Sequence, residues 1–315
     1  VRDNLGGRYI LMNDLDSTIA GYEDLASPEG NEGMGWQPIG VWRDGFTGSF
    51  DGRGYEIRDL YINRPDEDDV GLFFGLYDGG VIKDVCIVNA TVTGDDGVGG
   101  LVGLNMGIVS NSYFSGNVTG GGWYIGGLVG LNEGTVSNSY YGGSVTGSNH
   151  HYHVGGLVGG NEGTVTNSYS AGNVTGGGYV GGLVGHNAGT VSDSYATGSV
   201  SGNSSVGGLV GGNGHADVCN SYSIGSVTGS SNVGGLVGLN YDSTISNSFW
   251  DIETSGQADS DGGIGKNTTE MQDLATFSGA GWDIIAVANP GVRNPSYIWN
   301  IVYDETYPFL SWQPV

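Results

Sequence analysis

Tyr124, His153 and Tyr179 fall into one column when the sequence is aligned on its own internal repeat, and Trp123 and Tyr152 share the column beside it. Flat rings set in a row on successive turns of chain suit the C–H face of a pyranose, whose hydroxyls hydrogen-bond at the rim. The same row suits a protein contact, because aromatic side chains are enriched at the centre of interfaces. It also suits a local stack that only stiffens its loop. These five residues are the candidate ligand or subunit contact.

Other residue types offer less. His150, His151 and His153 form an H-H-x-H run that could meet a transition metal, but no Cys or carboxylate lies near in sequence to complete a set. An exposed polar loop is the better reading, and no metal site is assigned. The acidic clusters Asp66–Asp69, Asp95–Asp96 and Asp259 with Asp261 supply the oxygen ligands that Ca²⁺ takes. They match no EF-hand or nonapeptide pattern and read as solvated loops, so no cofactor is assigned, with Ca²⁺ the one cation they could serve. Catalysis by a β-helical polysaccharide lyase or hydrolase would need carboxylates on neighbouring turns. The repeats offer few candidates: their Asn column holds only Asp84 and Asp193, about four turns apart, and no catalytic residue is assigned. Cys86 and Cys219 fall in different columns about 24 Å apart at the spacing of paired strands, too far for a bridge. Asn89, Asn117, Asn173, Asn203 and Asn267 begin N-x-S/T sequons and are the glycosylation candidates.

The elements that position these residues come from the repeat. Gly-Gly-Leu-Val-Gly recurs with its leucine at Leu101, Leu128, Leu157, Leu183, Leu209 and Leu236, so the spacing is 26–29 residues. Four residues after each leucine stands an Asn, from Asn105 to Asn240. A Val column runs from Val109 to Ile245 and an aromatic column from Tyr113 to Phe249. Val109, Asn111 and Tyr113 alternate with Ser110 and Ser112, the period of a strand, and Gly and Asn punctuate the runs as turn formers. Turns of this length pair side by side about 4.8 Å apart, stacking like on like. The Asn column then predicts a ladder of amides that satisfy one another, since a buried amide without a partner is costly.

Composition agrees. The chain has 315 residues, 64 of them Gly, only 13% charged, and a net charge of −24. That charge excludes a nucleic-acid partner and disfavours anionic membrane surfaces. No run of 18 apolar residues exists, so no direct membrane insertion is expected. With no signal peptide and a first residue Val1, the chain reads as a processed or excised piece. The expected fold is all-β, a single-stranded parallel β-helix in three parts: residues 1–70 as N-terminal cap and first coils, 71–250 as the repeat solenoid, and 251–315 as a C-terminal cap. Thr269–Ala275 is expected to be a short capping helix with Thr268 or Thr269 as N-cap.

The repeated string VGGLVGxNxGxVxNSY closely resembles the GLUG-motif repeats of secreted bacterial and archaeal surface proteins, including adhesins and non-catalytic regions of IgA-specific peptidases. The flanks WQPIG…FTGSFDGRGYEIRDLYI and FWDIETSGQADSDGGIGKNTTEMQ resemble the usual lead-in and exit. The resemblance implies a right-handed helix, an extracellular, cell-surface location and no catalytic residues. The expected function is a non-catalytic structural or adhesive module whose partner is a cell-surface glycan or protein. The alternative is a self-assembling subunit of a filament, sheath or surface layer.

Overall fold

The computed structural model describes residues 1–149 and 152–314, with the backbone alone for Tyr152. The repeat closes into a parallel β-solenoid of about seven turns. Each turn contributes a strand to each of several parallel sheets. A nine-stranded sheet runs from Arg8–Ile10 to Thr244–Ser246. A thirteen-stranded sheet carries Cys86–Gly94, Tyr113–Gly120 and their successors. Six- and seven-stranded sheets hold the two sides of the Gly-Gly corner. Register follows the sequence columns: Val109 pairs with Val136, and Tyr113 with Tyr140.

Four columns build the interior. Leu101 to Leu236 and Val109 to Val218 are fully buried. The Asn column is an unbroken chain of amides, each Nδ2 donating to the next Oδ1 at 2.6–2.8 Å from Asn105 to Asn240. The fourth is a serine ladder. The backbone N–H of Ser112, Ser139, Ser168, Ser194 and Ser221 each donates to the hydroxyl one turn on, and that hydroxyl donates to a carbonyl two residues back. The ladder serines are thereby paired, backbone N–H and hydroxyl alike, within a repeating pattern. The corner at Gly126 is tight because a Cβ there would lie 2.0 Å from the Val129 carbonyl oxygen.

The column Asp84, Asn111, Asn138, Asn167, Asp193, Asn220 and Asn247 turns the chain between two sheets with φ of 47–54°. Asn and Asp are the non-glycine residues that best tolerate this left-handed region. Asp84 and Asp193 therefore share the backbone task of the asparagines around them.

The terminal segments close the stack in different ways. Arg8–Ile10 pairs with Ser49–Asp51 and begins the nine-stranded sheet. At the other end Ile264–Lys266 pairs with Phe249–Asp251. Ser260 accepts the N–H groups of Leu236 and Val237, and Asp261 accepts that of Asn240, so the last turn's open edge is covered. The expected single helix over Thr269–Ala275 is in fact two, Thr268–Met271 and Leu274–Gly279. Asn267, not a threonine, caps the first in a capping box with Glu270. Asp273 breaks the run because its side chain takes the Ala275 N–H in an extended N-cap conformation.

Beyond these helices the chain does not stay on the end. Residues 282–314 run back along the outside as a strap. Strands Ile284–Ala286, Trp299–Ile301 and Phe309–Leu310 form a small sheet of their own. The strap lies on the aromatic column. From Tyr113 to Tyr222 those rings stack with centroids 4.7–4.9 Å apart and planes within 12°. Trp282 packs on Tyr222 and Phe249, Trp299 on Tyr195 and Tyr222, and Trp312 on Tyr140 and Tyr169.

Candidate functional site

The loop edge is built on a second left-handed column. Asp69, Gly97, Tyr124, His153, Tyr179, Ser205 and Asn232 occupy equivalent places before the inward Val or Ile, all with φ between 44° and 71°. Three successive turns place an aromatic ring there. The Tyr124 and His153 rings lie 5.0 Å apart and those of His153 and Tyr179 5.4 Å, tilted rather than stacked. Trp123, 40% exposed, meets the His153 ring edge-on at 5.2 Å. Its backbone N–H donates to the Asp96 carboxylate. Tyr152 is in register with Gly178 on the neighbouring strand, and its side chain lies outside the described residues, as do His150 and His151.

Space for these rings comes from the neighbouring sheet. Its outward column reads Leu104, Leu131, Gly160, His186, Gly212, Leu239. A Cβ at Gly160 would strike the Tyr124 ring at 2.5 Å, and one at Gly212 the Tyr179 ring at 2.4 Å. Between them His186 stacks flat on His153 at 4.7 Å. The edge thus has a member that sequence columns place elsewhere. The replacement of Leu by Gly, His and Gly on three successive turns is the sequence signal that would have found it.

The edge is desolvated and acidic at its margins. Burial, then the neighbouring His186, lowers His153 to about 3, so its imidazole is neutral. Burial also lowers His186, against the pull of Glu162. Burial with Glu162 and Asp96 raises the Tyr124 hydroxyl. Asp69, stacked near Asp68 and Asp96, rises to about 6, chiefly by burial. Neutral rings beside carboxylates can hydrogen-bond and stack; they offer no activated nucleophile.

The remaining candidates are dispersed. Among the described residues no group of three His, Cys, Asp or Glu could hold a metal ion. Asp261 is engaged on the end of the stack, away from the Asp68–Asp96 turns. Cys86 and Cys219 are both free; burial foremost holds the Cys86 thiol at about 11 and raises Cys219. Asn89, Asn117, Asn173 and Asn203 are exposed, whereas Asn267 is half-buried and serves as a helix cap. Asn117 and Asn173 flank Ser144 on one exposed row.

Comparison with known proteins agrees with the coil architecture. The family model described as the GLUG motif matches residues 94–119, 150–175, 176–201 and 229–249. Four stretches of the coil stack thus match the GLUG motif. Halomucin of Haloquadratum walsbyi is 39% identical over 115 residues, 36% of this chain and 1% of that protein. A protein of Evansella cellulosilytica named "Putative Gly-rich membrane protein" is 32% identical over 114 residues, 35% of this chain and 12% of that protein. The chain therefore spans a small part of both relatives. A crystal structure from Bacteroides ovatus, titled as a "putative immunoglobulin A1 protease", superposes with a TM-score of 0.51 at 19% identity, over 98% of this chain and 87% of that one. At that identity the likeness concerns the fold. No helix among the described residues is long and apolar enough to cross a membrane.

Proposed function

We propose that this GLUG solenoid is a non-catalytic, extracellular cell-surface module. In this reading it holds its loop edge as an adhesive contact for a surface glycan or protein. The observation that carries the reading is the edge itself: Tyr124, His153 and Tyr179 project from successive turns in fixed left-handed positions, Trp123 stands beside the first two, and Gly160 and Gly212 leave room for the tyrosine rings. Rings pre-set by a rigid stack lose little freedom on binding. The Asp residues of the Asn column argue against catalysis there, because Asp84 and Asp193 do the turn-forming work of Asn and stand turns apart. The relatives' names support a place at the cell periphery.

The test is retention on insoluble cell-wall polysaccharide and on immobilised mucin. The wild-type chain should be retained by at least one. A variant with Trp123, Tyr124, Tyr152 and Tyr179 replaced by Ala should pass through both. Equal retention of the two proteins would remove the edge from consideration.

A further inference from the structure

The strap shows what the aromatic ladder accepts. Trp282 lies over Tyr222 and Phe249 and its indole N–H donates to the Asn247 carbonyl at 2.8 Å. Trp312 lies over Tyr140 and Tyr169 and donates to the Asn167 carbonyl at 3.0 Å. In both seats the ring covers two rungs and the donor reaches the left-handed Asn two residues before the later rung. The strap stops short of the ladder's first rungs. There Cys86, Tyr113, Asn138, Tyr140, Trp312 and Pro314 line an open groove of about 290 Å³. Its floor is Tyr113 on Tyr140, 4.7 Å apart, and Asn138 stands where Asn167 and Asn247 stand in the filled seats.

One tryptophan is presented without a seat. Trp42 is 65% exposed at the tip of a tight turn closed by reciprocal bonds between Val41 and Asp44 and pinned by the Arg43 N–H to the Tyr77 hydroxyl. That turn abuts the strand Phe73–Leu76, whereas the groove opens at the start of Cys86–Gly94, with the strand Val81–Lys83 between. A rigid coil stack cannot bring the two together within one molecule. Arg43 beside the indole also suits the groove's rim, where Glu56, Asp84 and Asp14 surround Cys86, in part paired with Arg58 and Lys83.

We propose that Trp42 of one copy occupies the open seat over Tyr113 and Tyr140 of a second copy. The interface continues the one the strap already makes. Knob and seat lie on different surfaces, so the contact is heterologous and propagates into open chains rather than closing as a dimer. This assembly does not depend on the loop edge.

Light scattering after size exclusion tests it, from about 1 µM to about 1 mM protein, the span of weak to moderate association. Wild-type mass should climb past the dimer with concentration. Trp42→Ala changes an exposed loop tip. Pro314→Arg fills the seat from an exposed strap residue, and Cys86→Arg fills it from the ladder side. Each variant alone should associate at least about tenfold more weakly, as loss of a central aromatic anchor does. Trp42→Ala mixed with Pro314→Arg should give dimers and nothing larger, because one copy keeps the seat and the other the knob. A wild-type protein that stays monomeric throughout, a Trp42→Ala variant that assembles like wild type, or a mixture as monomeric as its parts would overturn the proposal.

Discussion

The chain stacks aromatic rings along two of its edges, and the two stacks are unlike. On the ladder from Tyr113 to Tyr222 the rings start strands in strict register, so hydrogen-bonded spacing sets them 4.7–4.9 Å apart and parallel. On the loop edge the rings hang from turns, where an added residue or two is tolerated, and they tilt by 55–63° at 5.0–5.4 Å. The ladder is largely covered: Tyr222 is 1% exposed beneath the strap. The loop edge leaves Trp123 in solvent. Strand-borne repetition yields a surface regular enough for the chain to dock on itself. Turn-borne repetition yields one that varies from coil to coil, which is where recognition can be written without disturbing the core.

The largest effect expected on this contrast is Trp299→Ala. The ring is fully buried among Tyr195, Tyr222 and Trp282, and such truncations cost about 3–5 kcal/mol. Urea unfolding should show that loss, with the strap exchanging amide hydrogens before the coils do. Next is Asn161→Leu. It removes the shortest bonds of the Asn132 Nδ2 and the Asn187 Oδ1 inside the stack, leaving each only contacts at 3.3 Å, a loss of about 1–3 kcal/mol by the cost of under-paired buried groups. The same change at Asn240, the ladder's half-buried end, should cost less.

The loop edge should respond to pH. His153 is neutral in the fold down to about 3, whereas the unfolded chain protonates it near 6.5. The unfolded state binds more protons between those values, so its contribution is complete above about 6.5 and declines as pH falls toward about 3. Melting temperatures of wild type and His153→Tyr, measured across that range, should converge or cross as pH falls. Parallel curves would contradict a neutral buried imidazole. Smallest of all is Trp123→Ala, whose melt should stay within about 0.5 kcal/mol of wild type, as exposed substitutions do.

Much of the fold is legible in the residues. The Gly-Gly-Leu-Val-Gly period predicts the coils, the Val and Leu columns predict the core, and the Asn column predicts its amide ladder, because in-register stacking turns each sequence column into a spatial one. What escapes is contact between columns. The serine ladder links a side chain to the backbone of the turn before it and leaves no hydrophobic signature. His186 joins the loop edge from another strand, visible only through Gly160 and Gly212 beside it. The strap is hidden for a different reason. Trp282, Trp299 and Trp312 belong to no repeat, so nothing in their spacing says that they fold back on Tyr222 or Tyr169 rather than close the end.

The most direct test of the division between the two edges measures stability and retention on the same two variants, Tyr169→Ala in the ladder and Tyr124→Ala in the loop edge. The ladder variant should lower the melting temperature and keep its binding to mucin or cell-wall polysaccharide; the edge variant should keep its melt and lose binding. Binding lost by Tyr169→Ala while Tyr124→Ala binds as wild type would contradict the account.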